Sequence, residues 1–152
     1  MKTVPYIEDL TKWQSEFSFY IPIKIRFSET DMFGHVNNVS AFIYFEEARI
    51  EFLKSVGLFQ NVGSNNGGVP IVADLQCDYH KQMYFNEQMW HYVKVNHIGN
   101  TSLDIHYMAL NDKDELCLTG RGRLVNIHPE SGKPMSISTS IKEKLLTKTD
   151  FQ

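Results

Sequence analysis

The stretch Thr30-Asp31-Met32-Phe33-Gly34-His35-Val36-Asn37-Asn38 puts one carboxylate, a glycine, a histidine and two asparagines between a strand-like and a helix-like segment. Upstream, Phe17, Phe19, Ile21, Ile23, Ile25 and Phe27 recur at every second position, the period of a strand with one buried face. Pro22 interrupts that ladder and predicts an edge position or a bulge. Downstream the period lengthens. From Val39 to Val56, Ala41, Phe45, Ala48, Phe52 and Val56 fall on one side of a helix, and Phe42, Ile43 and Leu53 widen that side. A helix this apolar predicts a central element packed on a sheet. Asn37 or Asn38 suits its N-cap and Gly57 its C′ position. Glu46, Glu47, Arg49 and Glu51 supply its polar positions, with Glu46 and Arg49 spaced to pair at i,i+3. A lone acid at such a junction can do acyl-transfer chemistry: the acid activates or acts as the nucleophile, and free N–H groups in the helix's first turn stabilise an oxyanion.

Further along, Phe59 to Gly68 is a Gly/Asn/Ser-rich stretch that reads as a polar, mobile loop. Four strand-like segments follow: Val69–Tyr79, Gln88–His97, Ser102–Leu110 and Leu116–Ile127. Gly99-Asn100 and Asn111–Asp114 are the clearest turns between them, and strands joined by short turns must be antiparallel. In the last strand Leu116, Leu118 and Leu124 share a face with Gly120 and Gly122, where the missing side chains let the helix approach closely. Thr119, Arg121 and Arg123 alternate to the other face. After a Pro/Gly turn, Ser138 to Thr147 reads as a short amphipathic helix. Strand, long helix, then four antiparallel strands is an α+β layout, with one five-stranded sheet wrapped around one long central helix.

The 152 residues suit one domain, residues 1–152. Hydrophobic residues at 42% and charged residues at 22% are those of an ordinary globular protein. A net charge of -3 argues against nucleic-acid binding, which usually shows a basic excess on one face. No apolar run approaches the ~20 residues that span a bilayer, so no membrane partner is expected. Met1 to Gln14 mixes Lys2, Glu8, Asp9 and Lys12 with apolar residues and lacks the h-region of a secretory signal. Cys77 and Cys117 lie in strand-like segments and read as small buried hydrophobes, reduced in a cytoplasm. The remaining histidines, His80, His91, His97, His106 and His128, show no metal-ligand spacing, so no metal site is expected; acid-driven hydrolysis at Asp31 would need no organic cofactor either. The absence of G-x-S-x-G, P-loop and dinucleotide fingerprints removes serine hydrolases, NTPases and Rossmann enzymes.

Arg26-Phe27-Ser28-Glu29-Thr30-Asp31-Met32-Phe33-Gly34-His35-Val36-Asn37-Asn38 followed by Phe45-Glu46-Glu47-Ala48-Arg49, within this layout, resembles the hotdog-fold acyl-CoA thioesterases of the 4-hydroxybenzoyl-CoA thioesterase-like family. The resemblance runs from about Phe19 to Ser131. It implies a hotdog fold, with Asp31 as the catalytic carboxylate and the backbone N–H of Asn38 as oxyanion donor. It also implies a homodimer whose sheets join into one, often assembled into a homotetramer, with active sites between subunits. The sequence departs from the family pattern at Ala41, where an aromatic residue is common; this enlarges the acyl pocket. It departs again where Tyr-x-x-Pro and Gly-Asp are usual and Tyr79-His80-Lys81-Gln82 and Asn86-Glu87 stand instead.

Within this frame Asp31 is a general base or a nucleophile forming a mixed anhydride; the competing structural role is a cap of the loop or helix. Gly34 lets the chain bend and the thioester approach the backbone. His35 either positions water or the thioester, or braces the loop. Asn37 and Asn38 side chains cap and brace the loop, with contact to substrate, at Asn37 above all, as the alternative. Glu46 is a rival carboxylate, with a structural ion pair to Arg49 as its alternative. Lys81, Arg121 and Arg123 are candidates for a basic rim that meets the phosphates of coenzyme A, against the plainer reading of a solvated sheet face. The expected activity is hydrolysis of an acyl-CoA whose acyl group lies beside the central helix. An acyl-carrier-protein thioesterase and a non-catalytic acyl-CoA-binding protein are the alternatives.

Overall fold

A computed structural model describes residues 2–58 and 68–149. The polar loop expected at Phe59 to Gly68 lies, Gly68 excepted, outside the described residues. A short helix α1 (Leu10–Ser15) precedes strand β1 (Phe19–Lys24); a single 3-10 turn (Phe27–Glu29) and the loop lead to the long helix α2 (Ser40–Ser55). Then come β2 (Val69–Tyr79), β3 (Gln88–Ile98), β4 (Ser102–Asn111), β5 (Leu116–Ile127) and α3 (Thr139–Thr149). The strands form one five-stranded sheet, antiparallel throughout, in the order β1-β3-β4-β5-β2. Short turns make neighbours of β3, β4 and β5. β2 does not pair with the strand that follows it; it crosses to the far edge beside β5. β1 is the other edge, which is why Pro22 is tolerated opposite Trp90.

α2 contains many weak helix formers, among them Phe42, Ile43, Tyr44, Phe45 and Phe52. Each forfeits up to about 0.7 kcal/mol of helix propensity, whereas burying one large apolar side chain contributes roughly 1.5–3 kcal/mol, so packing decides. Ala41, Tyr44, Phe45, Ala48, Phe52 and Val56 are all buried against the sheet. Phe45 stacks on Tyr107 of β4 with ring centroids 4.6 Å apart, and Phe52 meets Phe19 of β1 edge-on at 5.4 Å. At the far end the Gly57 and Leu58 N–H groups close onto the Lys54 and Leu53 carbonyls, a Schellman ending. Arg49, expected among the exposed polar positions, is buried and donates to the Tyr107 hydroxyl at 3.2 Å. Its long stem packs like an apolar side chain.

The glycines of β5 serve different neighbours. A Cβ on Gly120 would stand 2.5 Å from the Phe45 ring, so here the helix does use the vacant space. At Gly122 the space is taken by the backbone of β2, with the Asp74 carbonyl oxygen 2.7 Å from a Cβ. Leu116, expected on the helix face, packs on the opposite face with Trp13, Phe17 and Met108, because a bulge between Ala109 and Leu110 shifts the register before it.

That opposite face is covered by the chain's own N-terminal segment, which the sequence pattern did not single out. Asp9 caps α1 by accepting the Lys12 N–H at 3.1 Å, and the buried Trp13 donates its indole N–H to His106 Nδ1 at 2.9 Å. Lys94, nearly sealed from water, pairs with Glu16, and Lys2 pairs with Asp78 at 2.9 Å. Cys117 is buried and Cys77 half-buried, both as free thiols; burial pushes them up to about 11 and about 12.

Candidate active site

The loop between β1 and α2 is a small hairpin anchored at its base. Arg26 and Glu29 close the 3-10 turn through the Arg26 N–H to Glu29 Oε1 at 2.9 Å and the guanidinium to Oε2 at 2.8 Å. The Tyr44 hydroxyl, reaching up from α2, donates to Glu29 Oε1 at 3.0 Å. Burial acts to raise the Glu29 carboxyl, but the bonds from Arg26 and Tyr44 outweigh it and hold the group below its usual range. The Glu29 carbonyl then accepts the Asn37 N–H at 2.7 Å, and Thr30 bridges to Val36.

Within this frame the chain reverses at Asp31 to Gly34, closed by the Gly34 N–H on the Asp31 carbonyl at 3.0 Å. Gly34 has φ of 78°, the left-handed conformation that follows such a turn, so its role is the bend itself. Met32 and Phe33 sit at the exposed tip. Asp31 Oδ1 accepts the Phe33 N–H at 2.8 Å and the His35 N–H at 3.3 Å. Among the described residues Oδ2 has no hydrogen-bond partner and no cation pairs with this carboxylate. One oxygen therefore caps the loop while the other carries no bond.

At the helix start the Asn37 side chain accepts the Val39 N–H at 2.9 Å, and its carbonyl accepts the Ser40 N–H at 3.0 Å. Asn37 thus caps α2 from a position ahead of the formal N-cap. Among the described residues the Asn38 N–H has no partner, as expected of the orphan donors at a helix start. Its carbonyl accepts the hydroxyl of Tyr79, the last residue of β2, at 2.5 Å.

Asp31, His35, Val36 and Asn38 line one cavity of about 360 Å³ with Tyr79, His80, Lys81 and Gln82. The cavity thus brings Asp31, His35 and Asn38 to one concavity. The His35 ring packs edge-on against Tyr84 at 5.1 Å, and its backbone bridges to the same residue. Gly34 and Asn37 shape the loop without lining the cavity. Burial lowers the His80 imidazole, whose Nε2 meets the Thr119 hydroxyl at 2.9 Å. Lys81 pairs with Glu115 at 3.1 Å, which raises its ammonium.

Arg121 and Arg123 are not brought to this cavity. Both project from the sheet face opposite α2, where the Arg121 guanidinium reaches Asp104 at 2.7 Å and Asp74 at 3.4 Å. A basic rim built from Lys81, Arg121 and Arg123 is therefore absent from this face of the chain: one member is ion-paired at the cavity wall, the others lie behind the sheet. Glu46 also stands outside the cavity, exposed and 3.8 Å from Arg49. Val36, Tyr79, His80 and Gln82 line the cavity without having been singled out as site residues by the sequence pattern, and nothing local in the sequence says that the Tyr79 hydroxyl reaches the start of α2.

One long helix laid on a five-stranded antiparallel sheet, with this loop at the helix entrance, defines a hotdog-fold protein of the thioesterase class. The chain belongs to the thioesterase-like superfamily, whose family model matches residues 25–145. It is 42% identical over 147 residues to the uncharacterised protein YsmA of Bacillus subtilis, covering 96% of this chain and 98% of that one. It is 30% identical to a structure described as a predicted thioesterase from Bacillus stearothermophilus, with a TM-score of 0.77 over 86% of this chain and 96% of that one. A Thermus thermophilus thioesterase solved with coenzyme A and zinc shares the fold at 23% identity and a TM-score of 0.77, over 90% of this chain and 98% of that one. No helix among the described residues is long and apolar enough to cross a membrane.

Proposed function

We propose that this protein is an acyl-CoA thioesterase in which Asp31 drives hydrolysis and the Asn38 N–H holds the oxyanion. The observation that carries this reading is the shared cavity: Asp31, with one uncommitted oxygen, and Asn38, with an unpaired amide, line the same concavity at the positive end of α2. As a general base, Asp31 takes a proton from water as the water oxygen bonds to the thioester carbon. The carbonyl oxygen becomes an oxyanion facing the amide. Collapse then breaks the C–S bond, and the proton held by Asp31 passes to the departing thiolate. As a nucleophile, Asp31 would displace the thiolate directly and leave a mixed anhydride for water to open. The geometry is compatible with both routes. The acyl-carrier-protein alternative calls for an exposed basic surface at the mouth; the pairing of Lys81 with Glu115 removes the same cation from either carrier, so thiol release from both kinds of thioester separates them.

The single chain leaves Asp31 and Asn38 exposed. We take the working unit to be a homodimer or homotetramer of single-domain chains in the cytoplasm, in which a second copy covers the cavity. A thiol-release assay across acyl-CoAs of different length and aromaticity tests the activity. Release from at least one of them supports the reading, and binding without turnover on all of them would make the protein a non-catalytic acyl-CoA binder. Equilibrium sedimentation tests the assembly; a monomer at assay concentrations would rule out a site shared between subunits.

A further inference from the structure

We propose that Tyr79 is a positioning residue: by donating its hydroxyl to the Asn38 carbonyl it clamps the start of α2 to the end of β2 and keeps the Asn38 N–H in one orientation beside Asp31. The proposal rests on the thioesterase reading for its catalytic consequence, and on the hydrogen-bond pattern alone for its structural one.

The Asn38 carbonyl lies outside the helical ladder, because the first turn closes instead through Ser40 N–H to Asn37 and Phe42 N–H to Val39. Asn38 therefore sits between two peptide groups that must each be held for its own amide to be fixed. The preceding peptide is held at its carbonyl by Ser40. The following one is held at its N–H by the Asn37 side chain and at its carbonyl by Tyr79. All of these restraints except Tyr79 come from within the same few residues. Tyr79 comes from 41 residues away, on the edge strand of the sheet. Among the described residues it is the one hydrogen bond to these two peptides that comes from outside residues 37–40, and it ties them to the sheet. A donor that stabilises an oxyanion is effective only when preorganised, so freeing one of its flanking peptides weakens it without removing it. Partial burial raises the Tyr79 hydroxyl to about 12, so it remains protonated and able to donate through the neutral range. The residue is 45% exposed, so loss of the hydroxyl alone leaves the core packing in place.

Tyr79→Phe removes the bond and keeps the ring. Thiol release from acetyl-, hexanoyl-, palmitoyl- and benzoyl-CoA, with Asp31→Asn as the reference for lost chemistry, gives kcat and KM. Backbone relaxation of the Asn38 amide in the 15N-labelled protein gives its mobility without reference to any substrate. The expected result is a kcat lower by about tenfold, short of the roughly 10²–10³-fold that accompanies outright loss of an oxyanion donor. KM should stay within about twofold, since the bond is not to substrate, and the pH profile of kcat should keep its shape. The Asn38 order parameter should fall from a rigid value near about 0.85 toward about 0.6. An unchanged order parameter overturns the proposal, as does a looser amide with unchanged kcat, or a rise in KM alone. If the unsubstituted protein hydrolyses none of the four thioesters, the thioesterase reading fails separately, and the relaxation data still decide whether Tyr79 holds the amide.

Discussion

The ring of Phe45 occupies the space that a side chain on Gly120 would need: a Cβ there would lie 2.5 Å from Cε2 and 2.7 Å from Cζ of that ring. The ring cannot easily withdraw, because it is stacked on Tyr107. The carbonyl of Gln76 on β2 closes the same space at 3.0 Å. Gly120→Ala should therefore destabilise the fold by about 1–3 kcal/mol, the usual range for overpacking. Urea denaturation at neutral pH measures it, and an unchanged midpoint would mean that α2 shifts freely over the sheet.

Asp31 caps the loop and, in the proposed mechanism, drives hydrolysis; a pair of substitutions separates the two roles. Asn at position 31 retains an oxygen that can accept the Phe33 and His35 N–H groups but no longer a carboxylate. Asp31→Asn should leave the melting temperature near that of the parent while thiol release drops about 10²-fold or more, the scale of a positioned acid or base. Asp31→Ala should lose both the chemistry and the loop cap, with an added stability loss of about 1 kcal/mol. Parent-like turnover in the Asn variant would reduce this residue to a turn former.

Tyr44 braces the loop from inside the core, through its bond to Glu29. Tyr44→Phe removes one donor from a buried carboxylate, and hydrogen bonds to charged groups contribute about 1.5–3 kcal/mol. A loss of that size in chemical denaturation is the expected outcome. No loss would indicate that Arg26 alone satisfies the carboxylate.

His91 lies fully buried against Tyr44, and among the described residues neither ring nitrogen has a hydrogen-bond partner. Burial lowers it from 6.5 to about 3, and lowers His106 to about 4 despite the neighbouring Asp104. The unfolded chain takes up protons at these positions before the folded one does. Stability is thus full above pH 6.5 and falls as pH drops from there toward 4, because the unfolded state binds the additional protons. His91→Leu removes both the unpaired nitrogens and the titration. It should raise stability by about 1 kcal/mol at neutral pH and by more in mild acid. Urea midpoints under the two conditions provide the comparison; an acid sensitivity identical to the parent's would clear His91 of any part in it.

Much of the architecture is written in local periodicity. The period of two in residues 19 to 24 and 116 to 127, and the 3.6-residue period after Val39, mark strands and helix because side-chain direction follows backbone geometry alone. The hairpin turns, the Gly57 ending and the loop motif are local for the same reason. Leu116 and Arg49 escape such reading. A bulge in the β4–β5 pairing turns Leu116 to the other face, and Arg49 is buried because the Tyr107 hydroxyl awaits it. α1 is too short and too mixed in pattern to announce itself; what orders it is the sheet face onto which Trp13 docks.

By itself the sequence determined the elements from β1 onward, the loop and the identity of an acid placed ahead of an apolar helix, since each follows from spacing within a few residues. Only the tertiary structure decided that β2 lies beside β5, that Tyr79 meets Asn38, and that Arg121 and Arg123 face away from Asp31. Those relations join residues far apart along the chain. Their geometry is set by which apolar faces can be buried together, a condition that the whole fold must satisfy at once.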